Sequence, residues 1–326
     1  MKKVVWALID SRKGSAGQIR GVVQQLDAAK FAVIEKNIEY TALSALPNFL
    51  RGASLLGLAS SSVPEINRDF PDVVISGSRR SAPVARWIKK HSGGKTKIVQ
   101  ILYPGAFGRK DYDLIFVPEH DRGKISGGNV RFTIGSPHRV TPQSLAAARR
   151  EWEKAFAALP RPLTALIIGG NIKGKGFTEE NAKTLAQAVK EYHNKTGGSL
   201  LVTDSWRTGE NMEKLILNIL KGIPSYNYLW GDKSSNPFMG YLACADNIIA
   251  TGDSVSMCCE ACGTGKPVFI FTGKGWLTPK HLRFVDSLTS GGYAAVLSQD
   301  NLSFVPAASL NPAAEIAAEI TALFKI

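Results

Sequence analysis

The chain has 326 residues, 44% apolar and 21% charged; the length suits two domains of roughly 150 residues, and the apolar content excludes a disordered protein. No apolar run approaches the roughly 20 residues of a membrane-spanning helix. Four cysteines, three of them in CCEAC at 258–262, give no disulfide framework, so a reducing cytoplasm is expected.

The formal net charge of +13 lies in the first half: residues 1–150 hold 24 Lys+Arg against 11 Asp+Glu, and residues 151–326 hold 16 against 16. A basic half attracts nucleic acid, an anionic membrane surface or a phosphorylated substrate, or simply keeps the surface soluble. No RNP, helix-turn-helix or zinc-finger pattern occurs and the basic residues are spread out, so nucleic acid is not expected as a partner.

In chain order, KVVWALI at 3–9 reads as a buried strand. Lys2 and Lys3 before it imitate a signal peptide, but six apolar residues followed at once by Asp10 and Arg12 are too few. A polar loop, DSRKGSAG, leads to a helix over about 17–29. FAVIE (31–35), DVVISG (72–77), TKIVQIL (96–102) and DLIFVP (113–118) continue as strands, with SAPVARWIKKH (81–91) as a helix among them. Residues 42–64 carry many leucines and one charge, Arg51; they read as a packed helix or as an apolar surface for a bilayer. Residues 138–162 form a helix closed by prolines, a passage between domains.

The second half restarts the rhythm, with strands at 163–170, 199–203, 247–251 and 267–271. Helices fall near 178–194, 209–221, 254–264, 279–289 and 312–325. Strand–helix alternation predicts parallel sheets. The expected fold is α/β, two Rossmann-like domains facing a cleft, 1–140 and 141–326, with the C-terminal helix free to pack back on the first.

In open α/β sheets ligands sit at the carboxyl ends of strands, so the residues after each strand carry the functional argument. After 163–168 comes GGNIKGKGFT, where Gly170 and Asn171 let backbone approach a phosphate and Lys173 adds charge; the plain alternative is a flexible basic loop. After 199–203 comes DSWRTGE, offering Ser205, Arg207 and Thr208 to an anion. After 247–251, TGDSVSMCCEACGTGKPV begins a helix that Asp253 would cap, with Ser254 and Ser256 in a first turn that favours phosphate. Asp253, Ser256 and Glu260 fall on one face, and Glu260 lies ~6–9 Å further along, about the span from a diphosphate to the diol of its ribose. The alternative makes Glu260 a helix-face charge and the serines caps. Cys258, Cys259 and Cys262 lack a histidine or second cysteine pair nearby and read as buried thiols rather than a zinc site.

These blocks, with GSRRSAPVA (77–85), VPEHDR (117–122), GSPHRVTP (135–142) and LVTDSWRT (201–208), resemble the bacterial branch of the mitochondrial-fission Elm-type family. That family is similar to GT-B-type glycosyltransferases, and the resemblance implies that fold and nucleotide-sugar binding. In such enzymes a helix after a C-terminal-domain strand holds the donor diphosphate and a glutamate takes the ribose, which Ser254, Ser256 and Glu260 match. The chain departs from the family in having Asn171-Ile172 after the double glycine and Trp206-Arg207 in place of a basic pair.

The resemblance also gives the first domain the acceptor. Asp10, Gly14, Gly17 and Gln18 follow the first strand, where GT-B enzymes approach the transferred sugar. Arg79 and Arg80 follow the 72–77 strand and suit an anionic acceptor or a donor phosphate; His120, next to carboxylates, suits a general base. The expected activity is metal-independent glycosyl transfer from a nucleotide-diphosphate sugar, used as substrate with no further cofactor. The acceptor is anionic or lipid-linked, and an anionic membrane surface is a further partner, reached from the cytoplasm at its inner face. The rivals are a non-enzymatic recruiting protein on the same fold, as the fission relatives imply, and a nucleotide-sugar epimerase.

Overall fold

The computed structural model describes residues 1–67, 69–298 and 303–325, arranged in two compact units, Met1–Arg139 with Asn311–Ile326, and Val140–Leu310. The first unit runs β1 (Lys3–Ile9), α1 (Lys13–Gln24), β2 (Phe31–Asn37), α2 (Asn48–Arg51), β3 (Val73–Ser76), α3 (Ala82–His91), β4 (Lys97–Ile101), β5 (Leu114–Pro118) and β6 (Val130–Thr133). Its six strands are all parallel, in the order β2-β1-β3-β4-β5-β6. Alternation along β1 feeds two cores. Val5, Ala7 and Ile9 pack with Ile19 and Val22 of α1 on one face, while Trp6 and Leu8 pack with Val84 and Ile88 of α3 on the other. Burial on both faces explains why β1, β3 and β5 read as short, nearly continuous apolar runs.

The second unit begins with α4 (Pro142–Phe156), whose Thr141 and Ser144 form a reciprocal cap. It continues β7 (Leu163–Ile167), α5 (Glu179–Thr196), β8 (Ser199–Thr203), α6 (Glu210–Ile219), β9 (Ser225–Tyr228), α7 (Phe238–Cys244), β10 (Asn247–Thr251), α8 (Val255–Cys262), β11 (Val268–Phe271), α9 (Pro279–Ser290) and β12 (Ala295–Val296). The sheet is again parallel, ordered β12-β11-β10-β7-β8-β9. Cys258, Cys259 and Cys262 are buried on α8, and none of the four cysteines is in a disulfide.

The last helix, α10 (Pro312–Ala322), packs on the first unit, with Ile316 and Ile320 joining the core of Ile19 and Val22. Residues 311–326 therefore leave the range 141–326 assigned to the second domain, because their apolar face completes the exposed side of α1. Residues 42–64 are not one helix. Pro47, Gly52 (φ +58°) and Gly57 (φ +86°) break the stretch into α2 and short 3-10 turns at Ala42–Ala45 and Ser60–Ser62. The strands β6, β9 and β12 and the helix α7 were not anticipated; β9 is SYNY, too polar to read as a buried strand. No helix among the described residues is long and apolar enough to cross a membrane.

Candidate functional site

The second sheet reverses its order beside β7, which has β8 on one side and β10 on the other. Such reversals open a crevice beyond the carboxyl ends of the strands, and the loops after β7, β8 and β10 meet there. The double glycine permits it. A Cβ on Gly169 would stand 2.1 Å from the Asp253 carboxylate, and one on Gly170 would stand 2.1 Å from the Arg207 backbone.

Asp253, its side chain wholly buried, is the hub. Its carboxylate accepts from the Gly170 N–H (3.0 Å), the Thr251 hydroxyl (2.7 Å) and Arg207 Nη1 (2.6 Å). Arg207 Nη1 also donates to the Asn171 carbonyl (3.2 Å), and the Asn171 N–H donates to the Arg207 carbonyl (2.8 Å). The Ser205 and Thr208 hydroxyls both donate to the Gly169 carbonyl. Asn171 Oδ1 accepts the Phe177 N–H (2.7 Å).

These bonds correct part of the expected anion site. Asp253 does not cap α8; Ser254 is the N-cap and makes no side-chain bond to the first turn. A buried carboxylate ringed by donors fixes loops instead of facing a phosphate. Ser205 and Thr208 likewise turn inward to a carbonyl that would otherwise be buried without donors. Asp253, Ser205 and Thr208 are thus framework.

The groups left for a ligand are fewer. Lys173 is exposed at the tip of the Ile172–Lys175 turn, which Gly174 (φ +80°) allows. The remaining donors of the Arg207 fork have no partner among the described residues, and the start of α8 has no side-chain cap. Ser256 is exposed, and Glu260, four residues on and on the same face, is half-buried. Glu260 has no ion-pair or hydrogen-bond partner among the described residues, and burial alone pushes its carboxyl up to about 7.

Two neighbours were missed in the sequence. Trp276 donates its indole N–H to the Gly170 carbonyl (3.2 Å). His281, its Nδ1 2.6 Å from the Thr278 hydroxyl, feels the charges of Asp253 and Arg207, and burial lowers its pKa. Both follow β11 in TGKGWLTPKH, a glycine-containing strand-end loop readable by the rule applied to the others. A cavity of about 540 Å³ adjoins these loops, lined among others by Asp204, Trp206, Tyr228, Trp230 and Met257 of α8. Trp206 and Trp230 are 67% and 66% exposed, so two indole surfaces face solvent there. Asp204 accepts the Trp230 N–H (2.6 Å), and burial raises its pKa.

In the first unit, Asp10 is buried after β1. Its Oδ1 accepts from the Arg12 N–H (3.0 Å) and the Ser15 hydroxyl (2.7 Å), while Oδ2 has no donor among the described residues. Gly14 and Gly17 lie in α1, where a Cβ on either would meet open space, and Gln18 buries Oε1 without a donor among the described residues. Arg79 and Arg80 follow β3. His120 is buried in the turn after β5, its Nε2 3.8 Å from Asp121 Oδ2. Asp10 and His120 are not brought together: β1 and β5 are three strand positions apart, roughly 14 Å. One Asp-x-Asp triplet exists, Asp111–Tyr112–Asp113, but its carboxylates are held by Arg86 (2.6 Å), Lys89 (2.7 Å) and Lys97 (3.0 Å) before β5 begins. Among the described residues no group of three or more His, Cys, Asp or Glu is placed to hold a metal.

Solved structures share this fold over nearly the whole chain. UDP-GlcNAc 2-epimerase from Neisseria meningitidis bound to UDP-GlcNAc superposes with a TM-score of 0.57 at 14% identity, covering 99% of this chain and 100% of that one. MurG of Acinetobacter baumannii gives 0.50 at 13% identity, covering 98% and 90%. The fold is therefore GT-B-like. In sequence, the uncharacterized protein RP120 of Rickettsia prowazekii is 27% identical over 99% of both chains. Mitochondrial fission protein ELM1 of Arabidopsis thaliana is 28% identical over 67% of this chain, which spans only 55% of that protein's length. The family described as mitochondrial fission ELM1 matches residues 13–324, and the chain belongs to it.

Proposed function

We propose that the second unit binds the nucleoside diphosphate of a nucleotide sugar and that the protein is a glycosyltransferase. The observation that carries this is Glu260, a half-buried carboxylate with no hydrogen-bond or ion-pair partner among the described residues, about one and a half turns beyond an uncapped helix start. The free N–H groups and dipole of α8 favour the diphosphate, with Arg207 and Lys173 adding charge. Glu260 then accepts from the ribose diol, and the indoles of Trp206 and Trp230 offer stacking surfaces to the base. The neighbouring folds include an epimerase bound to UDP-GlcNAc, which supports a UDP-type ligand as the first to try. Donors fixed at the helix start would stabilise negative charge developing on the departing diphosphate, because they need no reorganisation when it forms.

The acceptor, anionic or lipid-linked, belongs to the first unit. Asp10 and His120 are its candidate bases, and their separation lets only one of them take the acceptor's proton. Calorimetric titration with UDP, GDP, ADP and CDP tests the reading. One nucleotide should bind, and Glu260→Ala should weaken it by about 1–3 kcal/mol. No binding of any of the four at millimolar concentration removes the proposal. With the preferred donor, hydrolysis or transfer supports a transferase and an epimerised sugar supports an epimerase. Binding without turnover supports a recruiting protein.

A further inference from the structure

We propose that the first unit carries a second anion site, built for the phosphate headgroup of a membrane lipid. Strand order reverses here too, with β2 and β3 flanking β1. Beyond these strand ends lies a cavity of about 390 Å³, lined among others by Arg12, Tyr40, Ser44, Arg79 and Arg80. None of the three arginine side chains has a carboxylate partner among the described residues. Arg79 donates to the Ala45 (3.2 Å) and Leu46 (3.4 Å) carbonyls, and Arg80 lies over the Tyr40 ring at 5.9 Å.

Arg51, only 2% exposed, adds a fourth cation that touches the same segments. It donates to the carbonyls of Leu56 (3.0 Å), Arg80 (3.1 Å) and Ser44 (3.5 Å). Each of its three nitrogens donates to a carbonyl, but none of these partners is an acid, and burial depresses its pKa. Asp10 is the acid whose charge reaches Tyr40, and one of its oxygens is committed to Arg12 N–H and Ser15. Four guanidinium groups against the single Asp10 carboxylate leave this site net positive, which attracts an anion.

The wall of this cavity identifies the kind of anion. The turn Ala42–Ala45 that lines it leaves Leu43 49% exposed, and α2 immediately after it is inside out. Its Arg51 is buried while Phe49 and Leu50 are 61% and 59% exposed. Arg79 is bonded to this same segment. An apolar ledge beside a pocket of arginines matches an amphiphile in two places at once, headgroup in the cavity and chain along Leu43, Phe49 and Leu50. As an acceptor site this rests on the transferase reading, but as a binding site it shares no residue with the nucleotide loops.

Flotation of the full chain with phosphatidylcholine vesicles, with and without phosphatidic acid, tests it. The protein should float with the phosphatidic acid vesicles and not with neutral ones. Arg79→Gln/Arg80→Gln and Phe49→Ser/Leu50→Ser should each reduce partitioning by roughly tenfold or more, with both variants still cooperatively folded and the Phe49→Ser/Leu50→Ser variant keeping its UDP affinity. Undiminished vesicle binding by both variants overturns the site. Binding of inorganic pyrophosphate that the arginine variant loses, with vesicle binding indifferent to Phe49 and Leu50, overturns the lipid assignment in favour of a soluble phosphate. UDP binding is read in the same samples, so a failure here is distinct from failure of the nucleotide site.

Discussion

Burial and the proposed ligand push the pKa of Glu260 in opposite directions. The unfolded chain releases this proton near 4.5, and burial moves it to about 7 in the fold. Between those values the folded state holds the extra proton, so stability falls as pH rises through that window and is level above it. The loss is at most about 3 kcal/mol, and Glu260→Gln should abolish the slope in denaturant melts taken from pH 4.5 to 8. A ribose diol donates hydrogen bonds and so favours the ionised form. Nucleotide binding should therefore tighten as pH rises through 7 and release a proton, seen as a buffer-dependent calorimetric enthalpy. Asp253 is the complementary case, a carboxylate with every donor supplied. Asp253→Ala should cost ~3 kcal/mol or more, because it strands the Arg207 cation and the Gly170 N–H; urea denaturation measures this. No residue type in GDSVS announces which acid faces a ligand and which faces the protein. That choice was set by the loop after β8, forty-odd residues away in sequence.

Among the elements, α8 and α10 show how far local pattern reaches. Both are visible as helices in the sequence, the first from a strand followed by small polar residues and the second from Pro312 and an alanine-rich apolar face. Where α10 packs is a tertiary matter. Ile316 and Ile320 are fully buried against the first unit, so Ile316→Ala or Ile320→Ala should cost ~2–5 kcal/mol. The loss should lower the urea midpoint of the first unit while nucleotide affinity stays put. In the β7 loop, Gly169→Ala should abolish nucleotide binding, since its Cβ meets the Asp253 carboxylate and must push the loops apart. The short, polar β9 hid both itself and the aromatic pocket at its end. Its burial pattern is exposed and half-buried in turn, which gives no apolar signal to read.

On the scale of the whole molecule, the charge imbalance and the strand–helix rhythm are properties of the chain as written, and they gave the two-sheet α/β reading and a basic first half. Given a turned-over donor, Asp10→Asn or His120→Asn should lower turnover and leave nucleotide affinity nearly intact. The strand order predicts that only one of the two does so, and steady-state kinetics with both variants decides which. Sequence by itself determined the apolar strands and most of the helices, because apolar periodicity and glycine, proline and cap positions act over a few residues, but not the short or polar elements β6, β9, β12 and α7. It also pointed to the loops after β7, β8 and β10, because open parallel sheets commonly present their carboxyl ends to ligands, and it passed over the loop after β11. Only the tertiary structure decided which hydroxyls and carboxylates in those loops are spent on one another. It alone left Glu260 without a partner and turned α2 inside out beside a cluster of arginines. These outcomes depend on close approach between segments far apart in the chain, and no local pattern encodes that distance.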